Sequence, residues 1–183
     1  IGYDAFNGCE NIKYNEYDNA FYLGNSDNPY LLLISAKSTS ITSVSIHNDT
    51  KFIYSNAFSN CSSLTSVTIG NSVTSIGSYA FQGCTSLFKP ENNVYYVDTW
   101  VVSCENDATS ITVREGTVGI AYNAFYRKQS LNTIKLPNSI KYINEGAFGE
   151  CTGLTDLSIP EGITYIEANT FFGCSNLKNL SLP

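Results

Sequence analysis

Phenylalanine recurs in this chain at a fixed interval. Phe58 and Phe81 stand 23 residues apart, and so do Phe125, Phe148 and Phe171. A cysteine keeps the same beat, from Cys61 to Cys84 and from Cys151 to Cys174, and a leucine follows at Leu64, Leu87, Leu154 and Leu177. A self-similar period of this length is the mark of a solenoid, in which each repeat is one coil and no coil buries its apolar side chains alone. The period constrains architecture strongly and chemistry hardly at all.

Laying copies under one another defines the unit. One copy reads Leu64, Val67, Ile69, Val73, Ile76, Ala80, Phe81, Cys84. Further copies read Ile41 to Cys61, Leu131 to Cys151 and Leu154 to Cys174 in the same phases, and a degenerate one runs from Ala108 to Phe125. The opening Ile1, Ala5, Phe6, Cys9 is degenerate too, and Leu177, Leu180 and Leu182 begin another copy. Val67-x-Ile69 alternates with period two and is β-branched, so this part of each unit reads as a short strand. Gly70, Pro137 or Pro160 ends it, since proline donates nothing to a ladder. A second apolar pair, such as Ile140 and Ile143, returns the chain. The stretch from Ala147-Phe148 to Cys151 reads as one tight helical turn. Stacked coils then share a core with one row of side chains per phase, the phenylalanines forming its spine.

These copies resemble the BspA-like leucine-rich repeat family, as in GAFGECTGLTDLSIPEGITYI at 146–166. The shared pattern is a strand ending in proline, a hydrophobic-x-x-Ile return, then Ala-Phe-x-x-Cys. The resemblance covers nearly the whole chain. The fold expected is an α/β-type solenoid: a right-handed leucine-rich repeat superhelix with short parallel strands, single-turn helices and two β-hairpin-like inserts. Unit lengths are irregular, and Lys128 stands where other copies have cysteine. The resemblance implies a secreted or cell-surface protein of a bacterium or protozoan, adhering to host matrix proteins or to other cells. It carries over no binding residues, no cofactor and no catalytic role.

Composition is that of a folded module, with 43% hydrophobic and 14% charged residues, enough over this length for one long shared core. The net charge is -6 and the ten basic residues are scattered, which argues against nucleic acid, whose binding needs a clustered basic footprint. No apolar run approaches a membrane span, so no membrane insertion is expected in this segment. The chain opens and closes in mid-repeat. We therefore expect a single domain over 1–183 that is part of a longer array, with its leader outside this sequence and its open ends covered by a partner unit or a second copy.

The six cysteines have two readings. An extracellular chain with an even number suggests disulfides. Against this, Cys9, Cys61, Cys84, Cys151 and Cys174 occupy one phase of the repeat, where side chains point in parallel, whereas a bridge needs Cβ atoms facing each other. Buried free thiols are the expectation. Zinc is disfavoured, because the spacing is the repeat period and no Cys-x-x-Cys occurs.

The period breaks twice. Phe6 to Phe58 spans 52 residues and Phe81 to Phe125 spans 44. Both intervals hold hairpin-like segments, at about 13–40 and 88–107, expected to project from the solenoid as two-stranded ribbons. Insertions of this kind tend to map to one face, often the binding face. They concentrate aromatics, of which Tyr22, Tyr30, Tyr95, Tyr96 and the only tryptophan, Trp100, are candidate ligand contacts. The alternative is that these rings close the core where the regular row is missing. A second candidate surface is the outward side of the strands, where alternation exposes Ser66, Thr68, Thr133, Lys135 and Asp156. Hydroxyls there suit a glycan or a peptide, or simply keep a packed sheet soluble.

Catalysis has little support. The only histidine, His47, falls at the turn phase that ends the strand. No nucleophile elbow, zinc-protease or phosphate-loop motif occurs. Acidic pairs such as Glu16 with Asp18, or Glu145 with Glu150, suggest glycosidase chemistry or calcium only weakly, since charge pairs on solenoid edges are usually solvated. The expected role is a non-catalytic adhesion or protein-interaction module binding host or extracellular matrix proteins. The alternatives are a carbohydrate-binding module, which requires exposed aromatics, and a structural spacer.

Overall fold

One apolar residue between two polar neighbours buries its middle side chain when the chain is extended, and the repeats use this pattern strand after strand. Ser43–Ser45, Ser66–Thr68, Ser110–Thr112, Thr133–Lys135 and Asp156–Ser158 each bury only the central residue. The computed structural model describes residues 5, 6, 9 and 11–183, so the expectation for Ile1 lies outside the described residues. The chain divides into two units, Ile1–Leu87 and Phe88–Pro183.

The first unit holds β1 (Asn15–Tyr17), β2 (Ala20–Leu23), β3 (Leu32–Ala36), β4 (Ser43–Ser45), β5 (Phe52–Ile53), β6 (Ser66–Thr68) and β7 (Ser75–Ile76). The second holds β8 (Val94–Val97), β9 (Trp100–Cys104), β10 (Ser110–Thr112), β11 (Gly119–Ile120), β12 (Thr133–Lys135), β13 (Tyr142–Ile143), β14 (Asp156–Ser158) and β15 (Asn179–Ser181). Each unit is a β-solenoid with two sheets. The expected strands pair in parallel as β4-β6 and as β10-β12-β14-β15. The apolar returns are strands as well, and they build the second sheets, β1-β2-β3-β5-β7 and β8-β9-β11-β13. Registers repeat the period, with Val44 opposite Val67, Ile111 opposite Ile134 and Ile120 opposite Ile143. Like residues therefore stack in rows.

The expected single-turn helices do not form: the described residues contain no helix, and the Ala-Phe-x-x-Cys segments are successive turns. The reason is visible in the backbone. Asn56 and Asn60, Tyr79 and Gly83, Asn123 and Arg127, Gly146 and Glu150, and Asn169 and Gly173 all have left-handed φ values between 56 and 77°. Only three residues separate the members of each pair, too few for an N–H to reach the carbonyl four residues back. Alternate amides look elsewhere instead. Asn56, Phe58 and Asn60 donate to Ser78, Ala80 and Gln82 on the next coil (3.1, 2.7 and 2.7 Å), while Ser59 and Cys61 close three-residue turns onto Asn56 and Phe58 (2.9 and 3.1 Å). The same alternation recurs at Asn123, Phe125 and Arg127. This accounts for backbone groups that a helix would have satisfied internally.

The phenylalanine row is the spine. Phe58 and Phe81 stack at 5.2 Å between ring centroids, and Phe148 stacks on Phe125 at 5.3 Å and on Phe171 at 5.7 Å, all within 10° of parallel. These separations are close to the strand spacing of about 4.8 Å, so the coil rise sets them. Phe6 is outside the row and meets Tyr54 edge-on.

All six cysteines are free thiols. Cys61, Cys84, Cys104 and Cys151 are buried, whereas Cys9 is exposed and does not share the row's environment. The thiols of Cys84, Cys151 and Cys174 donate to the carbonyls of Phe58, Phe125 and Phe148 on the preceding coil, at 3.1, 2.9 and 3.0 Å. In the copy that lacks a cysteine, the Lys128 ammonium reaches the Cys104 carbonyl at 2.7 Å. Burial pushes the Cys84 and Cys151 thiols up to about 12 and Cys104 to about 11, from an ordinary 9.0. The unfolded chain ionises at the ordinary value while the folded chain keeps these protons. Their contribution to stability is therefore whole below pH 9.0 and declines as pH rises towards about 12. In reducing buffer the urea midpoint is expected to fall steadily above pH 9.0. A disulfide-exchange reagent should titrate Cys84, Cys104 and Cys151 only after denaturation.

The two inserts are not projecting ribbons. In each, the last hairpin strand is also a coil strand: β3 pairs antiparallel with β2 and parallel with β5, and β9 pairs antiparallel with β8 and parallel with β11. Each hairpin thus extends a solenoid sheet. The β1–β2 turn does more, because the Asp18 carboxylate accepts from the Ser45 amide at 2.6 Å and the Asn19 amide donates to the Ser43 carbonyl at 2.9 Å. Both contacts fall on β4, which among the described residues pairs with β6 alone. Side chains from the hairpin satisfy groups that would otherwise invite another chain.

Candidate functional site

The strand faces carry the expected exposed residues. In the second unit, Ser110, Thr133, Asp156 and Asn179 align in one column and Thr112 stands opposite Lys135 in the other. Thr133, Lys135 and Asp156 are all exposed, as are Ser66 and Thr68 in the first unit. Neighbours in the column bond one another: the Thr133 hydroxyl donates to Ser110 at 2.9 Å, and the Asn179 amide donates to the Asp156 carboxylate. Hydrogen bonds from Thr155 and Asn179 hold the Asp156 carboxyl below its ordinary value. The column is therefore partly ordered before any ligand arrives, and Lys135 and Asp156 provide charges of both signs on neighbouring strands.

The hairpin aromatics divide. Trp100 is 1% exposed and Tyr22 is fully buried, so both are core residues and leave the candidate surface. Trp100 stacks parallel to Tyr142 at 5.9 Å. Gly119 lies between them in the ladder, and a Cβ there would stand 2.3 Å from the indole. A glycine at a phase held elsewhere by Phe52, Ser75 and Tyr142 is the signal that a large ring needs that space. Burial pushes the Tyr22 hydroxyl up to about 12.

Tyr30, Tyr95 and Tyr96 are half-buried and engaged. Tyr30 stacks on His47 at 4.1 Å, with Tyr17 edge-on to the same imidazole at 4.8 Å. The Tyr95 hydroxyl donates to Glu105. Tyr96 accepts from the Arg114 amide at 3.0 Å, and the Arg114 guanidinium lies over its ring at 4.1 Å. The strand residues form one surface in each unit. Tyr95 and Tyr96 lie on β8, the edge strand of the other sheet, yet Tyr96 meets Arg114 just past β10 and Tyr30 meets His47 just past β4. Sequence reading named Asp18 only as half of an acidic pair with Glu16 and did not name Asn19; their cover of the β4 edge went unseen because contacts across 24 to 27 residues do not show in local pattern. Among the described residues no group of three or more His, Cys, Asp or Glu side chains is placed to hold a metal ion, and no helix is long and apolar enough to cross a membrane.

Among solved structures, the chain is similar to a leucine-rich repeat protein of T. pallidum, at 23% identity over 92% of this chain and 82% of that one, with a TM-score of 0.45. It is similar also to a leucine-rich cell surface protein of Faecalibacterium prausnitzii (24% identity, 95% of this chain and 55% of that one, TM-score 0.45). A third is the pneumococcal vaccine antigen PcpA, at 16% identity over 78% of this chain and 51% of that one, with a TM-score of 0.44. The chain thus spans about half the length of the last two. No curated protein matches it. The model of the BspA type leucine rich repeat region matches residues 35–106 and 102–183, with 6 copies in all, and the chain belongs to that family.

Proposed function

We propose that this chain is a non-catalytic interaction module of a secreted or cell-surface protein, and that it adheres to host or extracellular matrix proteins through its strand faces. The observation that carries this reading is the ordered polar column of the second unit, Ser110-Thr133-Asp156-Asn179 beside Thr112-Lys135. It is exposed, and the side chains of the first column are short and hydrogen-bonded in pairs, so little rotamer freedom is lost there on docking. Family membership supports the same reading, since repeat scaffolds of this kind are generally non-enzymatic and typically mediate protein contacts.

The test is a binding screen of the purified chain against matrix proteins and a glycan array, with Lys135→Glu and Asp156→Lys alongside. A saturable protein ligand, weakened about tenfold or more by either charge reversal, is the expected result, because reversed charges at an interface repel as well as fail to pair. Protein binding untouched by both variants would remove the strand face from the reading. A glycan ligand alone would favour the carbohydrate-binding reading. Silence in both screens would favour a spacer.

A further inference from the structure

In a parallel ladder, a residue on one strand donates to the carbonyl just before the residue it faces and accepts from the amide just after it. The two edges of β4 divide accordingly. Towards β6, the Ile46 amide donates to the Thr68 carbonyl at 2.9 Å and the Thr42 carbonyl accepts from the Thr65 amide at 2.8 Å. The Ser43 carbonyl and the Ser45 amide, on either side of Val44, point the other way. The β1–β2 turn takes both. The Asn19 side-chain amide donates to the Ser43 carbonyl at 2.9 Å, and the Asp18 carboxylate accepts from the Ser45 amide at 2.6 Å. Two adjacent side chains thus stand in for the N–H and C=O of one residue facing Val44, and the turn imitates a single residue of a parallel strand.

The hairpin holds this imitation in place. Tyr17 pairs with Ala20 across the turn, and Asp18 has a left-handed φ of 49°, as a two-residue hairpin turn requires. The Asn19 carbonyl accepts from the Lys37 amide at 2.9 Å, and Glu16 pairs with the Lys37 ammonium at 2.9 Å. Ser43 and Ser45 are exposed, so water would satisfy their backbone groups as well. What water does not do is keep another strand away.

The strand that fits this edge is present in the molecule. Among the described residues β15 pairs with β14 alone. Leu180 and Leu182 are 39 and 57% exposed, whereas Leu157 and Ile159, one coil earlier, are 3 and 5% exposed. The earlier pair is covered by a coil in parallel register, with Leu157 opposite Leu180 and the Ile159 amide donating to the Ser181 carbonyl at 2.9 Å. β4 is a strand of the same kind: Val44 stands between two serines, and Ile46 follows it as Leu182 follows Leu180. A second copy's β4 therefore fits β15 as β15 fits β14. We propose that β4 and β15 are complementary docking edges for joining two copies of this chain head to tail, and that the Asp18–Asn19 turn blocks the joint. Such a contact uses a different surface on each copy, so it does not close and propagates into fibres. A stop on one edge prevents every step.

The experiment combines amide hydrogen exchange with analytical ultracentrifugation, on the full chain and on the double variant Asp18→Gly, Asn19→Gly. A Gly-Gly pair suits a two-residue hairpin turn, so the hairpin is kept and only the two side chains are lost. The parent chain is expected to be monomeric, with the Ser45 amide protected. In the double variant Ser45 should exchange about tenfold faster or more, in line with losing a hydrogen bond to a charged group. The variant should also sediment as a series of oligomers that lengthens with concentration. Adding Leu180→Lys, a charge on the facing edge, should return it to the monomer. Asp18→Asn keeps an acceptor in place and should stay monomeric. Unchanged exchange of the Phe58 amide shows that the first unit keeps its coils; if the double variant loses them, Asp18→Ala alone carries the same expectations. Unchanged exchange at Ser45, a monomer at every concentration despite an open Ser45 amide, or oligomers that survive Leu180→Lys each overturn the proposal. So does a parent chain that already forms such oligomers. None of these outcomes bears on the strand face, whose failure is read from the charge reversals at Lys135 and Asp156.

Discussion

Phe148→Ala is expected to destabilise the second unit by ~3–5 kcal/mol, the range for truncating a buried aromatic. Phe148 has no exposed surface and is stacked on both sides, on Phe125 at 5.3 Å and on Phe171 at 5.7 Å. Each aromatic pair contributes about 0.5–1.5 kcal/mol beyond burial, and the substitution removes two. Collapse of the cavity is opposed as well, because the coil spacing is held by the amide of Phe125 on Ala147 and that of Phe148 on Thr170, at 2.8 and 3.0 Å. The loss should therefore lie toward the upper end of the range. Phe172→Ala is the internal comparison. On the next coil, one residue past Phe171, its ring is largely exposed, and the cost should stay within about 0.5 kcal/mol. Urea unfolding of both variants measures the difference. Equal costs would show that the phenylalanine row is not the spine.

Trp100→Ala is expected to cost a similar ~3–5 kcal/mol, for a different reason. Truncation opens a void against Gly119, which has no side chain to fill it. Gly119→Ala attacks the same contact from the other side: its new Cβ would stand 2.3 Å from the indole, and overpacking of this kind costs about 1–3 kcal/mol. Combined, the two substitutions relieve each other, since the added methyl enters space the indole has left. The double variant should be more stable than the sum of the two losses implies, by about 0.5–3 kcal/mol, the usual coupling between residues in contact. As the only tryptophan, Trp100 should emit at short wavelength in the folded chain and shift to the red on unfolding. Additive losses, or emission already red-shifted in the native state, would place the indole outside the core.

The repeat made much of this molecule legible. The rows at Phe58, Phe81, Phe125, Phe148 and Phe171 and the parallel thiols follow from period alone, because residues separated by one coil must stack. The outward columns followed from alternation within strands of three residues. Two features sat in the sequence unread. The returns at Ile53, Ile76, Ile120 and Ile143 are second strands, obscured by a length of two residues. The asparagines and glycines flanking each phenylalanine, such as Asn56 and Asn60, take left-handed φ, which excludes the helical turn that Ala-Phe-x-x-Cys suggests.

The coil, its rows and its outward faces are thus set by spacing along the chain. Packing between coils decides that Trp100 is core and that Asp18 and Asn19 close the β4 edge. Each of these depends on which side chain the neighbouring coil places opposite. Where an insert interrupts the period, that neighbour is no longer set by counting, and packing alone assigns it.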